Sequence, residues 1–323
     1  MSKKAIIKRL QDFIKANQLI NKGKIGIAVS GGPDSIFLAH SLNILKNDLG
    51  IKIYILHFNH MLRKEAKEEE QFVKEFSNSI DANFLSDSFD VGKFAKNNKL
   101  STEEAARIKR YEFLNSCKTR LNLNLIAIAH TKNDIAETFL INMLRGSSIK
   151  GLSSLRIKRG FYIRPLIFLE KKEIIDYLKE NRIEYKTDSS NFYKGFLRNR
   201  IRLELMEQLK DINPNIVDTL YRESEILSKE DRLLDNIAEK EFTKRLVLFN
   251  KERLILNIDR LSNDNAILYR LISMAAKKLL NTQYSLSFKN IERIALIKNT
   301  QTVVLRKKLK AYTNKDRLVF EKL

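Results

Sequence analysis

Scarcity is the first thing this chain offers. One cysteine, Cys117, in 323 residues leaves no internal disulfide and no zinc site made of cysteines alone. It falls in a helix-like stretch beside Phe113 and Leu114, where it reads as a small buried hydrophobe without a catalytic role. No run approaches the roughly 20 apolar residues of a membrane span. Met1 to Leu10 carries lysines but no hydrophobic signal-peptide core. These shortages lead to an expectation of a reduced, cytoplasmic protein with no membrane partner. Internal repeats and low-complexity segments are missing too. Acid is short: 39 Asp and Glu stand against 60 Lys and Arg, a formal net charge of +21. Such an excess points to a polyanion, nucleic acid before anionic membrane, although a lysine-rich genome produces the same bias.

What is present is core. Hydrophobic residues make up 43% of the chain, enough for one or two globular domains. The most informative stretch is Ile25-Gly26-Ile27-Ala28-Val29-Ser30-Gly31-Gly32-Pro33-Asp34-Ser35. Ile25 to Val29 reads as a buried parallel strand and Ser30-Gly31-Gly32 as a sharp turn. Asp34 or Ser35 then caps a helix through Ile36, Leu38, Ala39 and Leu42. Strand, glycine turn and helix N-terminus in that order build an anion site. The glycines let backbone N–H groups face a phosphate, and the helix dipole adds positive potential. No lysine lies inside the turn, which sets it apart from the G-x-x-x-x-G-K-S/T loop of ordinary nucleotide kinases.

Elsewhere apolar runs and helical periodicities alternate. Ile6, Ile7, Leu10, Phe13 and Ile14 form the packed face of a first helix. Ile51 to Phe58 is a second strand, ending in His57-Phe58-Asn59-His60, and Lys64 to Glu75 is a charged helix. His57 and His60 could ligate a metal, but no third ligand is near in sequence, so a strand end facing a nucleotide suits them better. After a third strand, Asn83 to Phe89, Ser101 caps a helix with Glu104 at its third position. That helix carries Arg107, Lys109 and Arg110, cations for phosphate or for a wet helix face. Leu125 to Ala129 is a fourth strand with His130 at its carboxyl end, where open α/β sheets bind ligands. Asp134 and Glu137 follow on one helix face. Such a pair suits Mg²⁺ or a substrate ammonium, as well as a helix N-terminus merely enriched in acid. Tyr162 to Ile167 is a fifth strand.

The alternation predicts an α/β protein with a doubly wound parallel five-stranded sheet over residues 1–210. Arg198, Arg200 and Arg202 fall in a polar, poorly periodic stretch and alternate rather than share a helix face. Each offers a planar fork for phosphate or base edges, unless the stretch is only a basic linker. Pro214, one of three prolines, marks a boundary. Residues 215–323 read as a smaller, mainly helical domain. Its parts are a long helix through Val217, Leu220, Leu227, Leu234 and Ala238, a hairpin over 246–256, two helices near 263–280 and 287–298, and short terminal strands.

Ser30-Gly31-Gly32-Pro33-Asp34-Ser35 resembles the pyrophosphatase loop, or PP-loop, of enzymes that cut ATP to AMP and pyrophosphate. Further runs narrow the resemblance: His57-Phe58-Asn59-His60, Glu104-Ala105-Ala106-Arg107, Arg110-Tyr111, Ala129 through Thr138, Arg145-Gly146, Arg164-Pro165-Leu166, and Asp188-Ser189-Ser190-Asn191 to Arg202. Together they are similar, in order through about residue 205, to the tRNA(Ile)-lysidine synthetase family. The last third resembles that family's helical tRNA-binding domain more weakly. Longer members carry a further small domain, and this sequence is expected to stop at or near its start.

The resemblance implies an adenine nucleotide α-hydrolase-like fold, ATP and Mg²⁺ as cofactors, and tRNA(Ile) with a CAU anticodon and free lysine as substrates. ATP adenylates the carbon-2 oxygen of the wobble cytidine, releasing pyrophosphate, and the lysine ε-amine then displaces AMP to leave lysidine. It also implies roles. Ser30, Gly31, Gly32, Pro33, Asp34 and Ser35 surround the phosphates, with Asp34 on Mg²⁺ and Arg107 replacing the missing loop lysine. Asp134 and Glu137 orient or deprotonate an amine whose ordinary pKa is about 10.4. His130 carries a proton or contacts phosphate. Arg198, Arg200 and Arg202 hold the flipped base and its phosphates. The nearest rival is another PP-loop tRNA-modifying enzyme. A thiolase needs cysteine pairs or an iron–sulfur cluster, which a lone Cys117 opposes. An NAD or GMP synthetase explains the loop but not the charge; a non-catalytic basic RNA-binding protein explains the charge but not the loop. Oligomeric state is left open, a homodimer being one option.

Overall fold

A computed structural model describes residues 3–62, 66–153, 155–186, 196–259, 261, 266–282, 286–297, 301–305 and 308–323. Asp188-Ser189-Ser190-Asn191, part of the family-like run, and Lys64 lie outside these residues. The chain divides into two compact units, Met1–Ile226 and Leu227–Leu323.

The first unit is built on six strands: β1 (Gly23–Ala28), β2 (Ile51–Asn59), β3 (Asn83–Ser88), β4 (Leu125–Ala127), β5 (Lys158–Arg159) and β6 (Tyr162–Ile163). Their order is β3-β2-β1-β4-β6-β5. The first five in that order run parallel, as the sequence predicts, and the two-residue β5 pairs antiparallel at the edge. Alternation along each strand sends side chains to opposite faces, and both faces are buried. Ile25, Ile27, Ile53 and Ile55 pack with Leu10, Ile14, Phe37 and Leu178 from three helices. Leu56 and Ile126 pack on the other side with Phe113, Leu114 and Cys117. The fifth strand is shorter than expected. Pro165 has no N–H for a ladder, and Arg164 N instead donates to Ile157 O at 2.9 Å as the chain turns away.

This order positions the site. The chain leaves β1 for β2 and β3 on one side, then returns to β4 on the other. The ends of β1 and β4 are therefore the topological switch point, where a crevice opens at the carboxyl edge.

One expectation needs correction. The stretch with Arg198, Arg200 and Arg202 is helical: Leu197–Arg200, a wider π turn over Ile201–Leu205, then Met206–Ile212. In the second unit the helices are joined by a five-stranded antiparallel sheet. Its strands are β7 (Leu246–Phe249), β8 (Arg253–Asn257), β9 (Thr302–Leu305), β10 (Leu309–Asn314) and β11 (Arg317–Lys322), in the order β7-β8-β11-β10-β9. Leu254, Leu256, Leu309, Ala311 and Phe320 pack there with Leu268, Leu271 and Ile272 from the helix Ala266–Leu280. The long helix is Ile216–Arg245, and the division between units falls inside it rather than at Pro214. Its opening turns belong to the first unit because they pack there: Val217 and Leu220 are buried, Ser224 Oγ donates to Leu152 O, and Asp218 pairs with Lys132. Among the described residues no helix is long and apolar enough to cross a membrane.

Candidate active site

The turn after β1 is made by backbone. Val29 N still bonds Leu56 O at 2.9 Å, and a helix starts at Pro33. Gly31 takes φ +92°, a left-handed value that L side chains rarely adopt. Gly32 caps the helix and Pro33 fills its first position, where no N–H is needed. The expected cap, Asp34 or Ser35, is thus displaced by a glycine, and both side chains are released for other work. Ser35 Oγ donates to Gly32 O at 2.9 Å and accepts from Ser30 N at 3.2 Å, 3.3 Å from Ser30 Oγ. Lys186 N donates to Gly31 O at 2.9 Å. The helix's first N–H groups have no intrahelical acceptor and can receive an anion.

Asp34 lies in the first turn of this helix. Its Oδ1 is buried with no hydrogen-bond partner among the described residues, and Oδ2 is 3.6 Å from Lys171 Nζ. Burial raises its pKa, to about 6, against the pull of Lys171, and the like charge of Asp134 adds to the rise. An unpartnered carboxylate oxygen near a second carboxylate suits a hard divalent cation. Mg²⁺ takes one or two carboxylates and completes its shell with phosphate and water, so these residues fit it. No three His, Cys, Asp or Glu groups converge as a metal site among the described residues.

The segment after β4 works by charge. Thr131 opens the helix Lys132–Leu144, and Asp134 caps it from within: Oδ2 accepts from Thr131 N at 2.9 Å and from Thr131 Oγ1 at 3.1 Å. Burial would raise the Asp134 pKa, but His130, the Thr131 N–H, Arg198 and Arg202 outweigh it and hold the group below the usual carboxylate range. Glu137, one turn on, is 2% exposed. Arg202 grips it with both ends of its fork, Nε to Oε1 at 2.6 Å and Nη2 to Oε2 at 3.0 Å. Arg198 Nε lies 3.4 Å from Oε2, while its Nη2 donates to Thr138 Oγ1 at 2.8 Å. Burial raises the Glu137 pKa and Arg202 opposes it, leaving a net rise.

His130 accepts at Nδ1 from Arg164 Nε, 2.9 Å away. Since guanidinium can only donate, the ring's proton sits on Nε2. Burial pushes its pKa well below the ordinary value, with Arg164, Arg110 and Arg198 pushing the same way against Asp134. At neutral pH the ring is neutral and presents an N–H at Nε2. His57 is structural: it is buried, with Nδ1 2.9 Å from Val29 O, where it steadies the end of β1.

The structure therefore brings Asp34, His130, Asp134, Glu137, Arg198 and Arg202 into one electrostatic neighbourhood. Arg107 and Arg200 stand outside it. Arg107 is exposed, its guanidinium 5.8 Å from the Tyr111 ring centre, and Arg200 is exposed near Glu204 at 3.8 Å. Helical spacing explains the split among the arginines, since Arg198 and Arg202 are four apart and Arg200 points elsewhere. Three cations were given no place at the site by the sequence, which offered Arg107, Lys109 and Arg110 on one helix and settled on Arg107. Arg110, not Arg107, is the one whose charge reaches His130 and Asp134, and its Nε is buried without a hydrogen-bond partner among the described residues. Arg164 is 5% exposed and orients His130. Both sit in family-like runs, which was the available signal. Lys171 had none.

Residues 2–209 match the PP-loop domain family. A tRNA(Ile)-lysidine synthase from Clostridium acetobutylicum is 36% identical over 308 residues, covering 93% of this chain and 67% of that protein. Those from Clostridium perfringens and Clostridioides difficile are 34% and 32% identical, over 91% and 97% of this chain and 64% and 70% of theirs. The chain thus spans about two thirds of the length of these relatives. Among solved structures, a U34-tRNA thiolase from Methanococcus maripaludis superposes with a TM-score of 0.56 at 17% identity, over 70% of this chain and 80% of that one, a likeness of fold alone. With a PP-loop domain over its first two hundred residues and relatives of this identity along almost its whole length, the chain belongs to the tRNA(Ile)-lysidine synthase family.

Proposed function

We propose that this protein ligates lysine to carbon-2 of the wobble cytidine of tRNA(Ile) with anticodon CAU, consuming ATP and releasing AMP and pyrophosphate. One observation carries the reading: a backbone-built anion turn and an acid-bearing helix meet at the switch point of one sheet. The cytidine oxygen attacks the α-phosphorus, and pyrophosphate departs into the turn, where the N–H groups of the Pro33–Ile44 helix and its dipole stabilise the developing charge. Asp34 would hold Mg²⁺, which when bound neutralises phosphate charge. His130, neutral with Nε2–H, donates to a phosphate oxygen. The lysine ε-ammonium gives up a proton to Glu137, and the free amine then attacks carbon-2 as AMP leaves. Glu137 receives the lysine ammonium, for which Arg202 has to yield one of its two hydrogen bonds. Arg200, exposed, is left for tRNA phosphates.

Residues 1–210 are the catalytic domain in this reading and 215–323 the tRNA-binding one, in the cytoplasm, with the +21 charge drawing in the polyanion. Sulfur transfer, the rival chemistry, finds no nucleophile in Cys117. The side chain is fully buried, and burial pushes its thiol up to about 11. The test is incorporation of labelled lysine into a CAU-anticodon tRNA(Ile) transcript, followed by digestion and nucleoside analysis. The label is expected in lysidine at the wobble position. Label absent, or ester-linked at the 3′ end, would refute the assignment.

A further inference from the structure

The glycine turn carries no lysine, and Arg107 lies exposed beside Tyr111, so a triphosphate at the turn needs a cation from another element. Lys171 is placed to be it. Its Nζ is 3.6 Å from Asp34 Oδ2, and its side chain is 34% exposed. That separation is a loose ion pair, which holds the ammonium beside the turn and leaves its other N–H groups for a further anion. The root of the side chain is held from several sides. Lys171 N donates to Asn133 Oδ1 at 2.9 Å, one residue before Asp134. Glu173 Oε2 accepts from Glu170 N at 3.0 Å, and Glu173 Oε1 is 2.5 Å from Arg9 Nη1. Lys171 is also the first residue of the helix Lys171–Glu180. A cation there is disfavoured by the helix dipole, so its position calls for a compensating anion. Asp34 supplies one charge, and its Oδ1 has no partner of its own among the described residues.

We propose that Lys171 binds the phosphate chain of ATP, standing in for the lysine that the turn lacks. The inference rests on the ATP chemistry proposed above. Its test is calorimetric titration of the full chain with Mg²⁺-ATP and, separately, with AMP, which lacks the β- and γ-phosphates. Variants Lys171→Met, Lys171→Gln, Lys171→Arg and Lys172→Met are compared, each checked for an unchanged thermal melt. Loss of one charged hydrogen bond to a phosphate should weaken ATP binding roughly ten- to hundredfold in the Met and Gln variants. AMP binding should be unchanged, Lys171→Arg should recover most of the ATP affinity, and the exposed neighbour Lys172→Met should alter neither ligand. In tRNA-dependent pyrophosphate release, the KM for ATP should rise with the dissociation constant. Equal losses for ATP and AMP would mean that Lys171 only positions Asp34, and unchanged ATP affinity would mean that it does nothing at the site. Either overturns the proposal while the ATP reading stands. A wild-type chain that binds no ATP overturns the reading and the proposal with it.

Discussion

The turn after β1 and the segment after β4 end neighbouring strands of one sheet, yet they are built by opposite means. The turn works through its backbone. Gly31 supplies a left-handed φ, and two serine hydroxyls and Lys186 N tie it. Its useful groups are N–H donors, whose aim depends on dihedral angles more than on side-chain identity. The β4 segment is side chain held by side chain. Glu137 is sealed by Arg202, Asp134 is taken up by Thr131, and His130 is oriented by Arg164. A turn made of donors suits an invariant ligand such as a phosphate chain. A cluster of opposed charges can open and close, which suits a step that begins only after the first is finished.

Substitutions can break that comparison. The largest effect is expected from Asp34→Ala, the one acid that serves the turn. Pyrophosphate release should fall to background while the fold survives, since the ion pair that is lost runs to Lys171, whose side chain is 34% exposed. Near-normal release by a folded variant would remove Asp34 from the chemistry. Next is Gly31→Val. A β-branched residue at φ +92° is strained, and its Cβ would lie 3.4 Å from Val73 Cγ2. Misplacing the donors by about an ångström should cost pyrophosphate release about a hundredfold. An active Gly31→Val enzyme would show that the turn's dihedrals do not matter.

Glu137→Gln comes third and separates the regions. It keeps shape and removes charge, so much of the tRNA-dependent pyrophosphate release should persist while lysine transfer is lost. Arg202 is left in a buried site with a neutral partner, and stability should fall by roughly 1–3 kcal/mol in denaturant unfolding. Equal depression of both half-reactions would place Glu137 with ATP instead. The smallest effect is expected from Arg200→Ala, outside both regions. The log–log salt slope of tRNA binding should drop by about one unit, with catalysis at saturating tRNA unchanged. A slope that does not move would free Arg200 of phosphate contact.

The two regions were also unequally legible. Ile25 to Ser35 announces itself because strand burial, glycine dihedrals and helix entry are local properties, and each leaves a mark within a few residues. The alternation of strands and helices and the placing of Asp134 and Glu137 on one helix face followed from equally short periods. The arginines did not, because the polar residues around them hide the helix whose one face carries Arg198 and Arg202 to Glu137. Arg110 and Arg107 share a helix, and only packing tells which one turns inward. Lys171 reaches Asp34 from far along the chain, through a helix start set by Asn133, and nothing local encodes that meeting. In the second unit β10 leaves little mark in the sequence, because Leu309 and Ala311 alternate with Lys310 and Tyr312 too briefly to stand out among basic residues.

The central claim is that the base, not the amino acid, is activated in the turn. Pyrophosphate release by the purified full chain, with ATP and Mg²⁺ and with tRNA and lysine each added or withheld, tests it most directly. Release is predicted to require the CAU-anticodon tRNA and to proceed without lysine. Release that requires lysine and not tRNA would contradict the account, since the turn would then be making a lysyl adenylate.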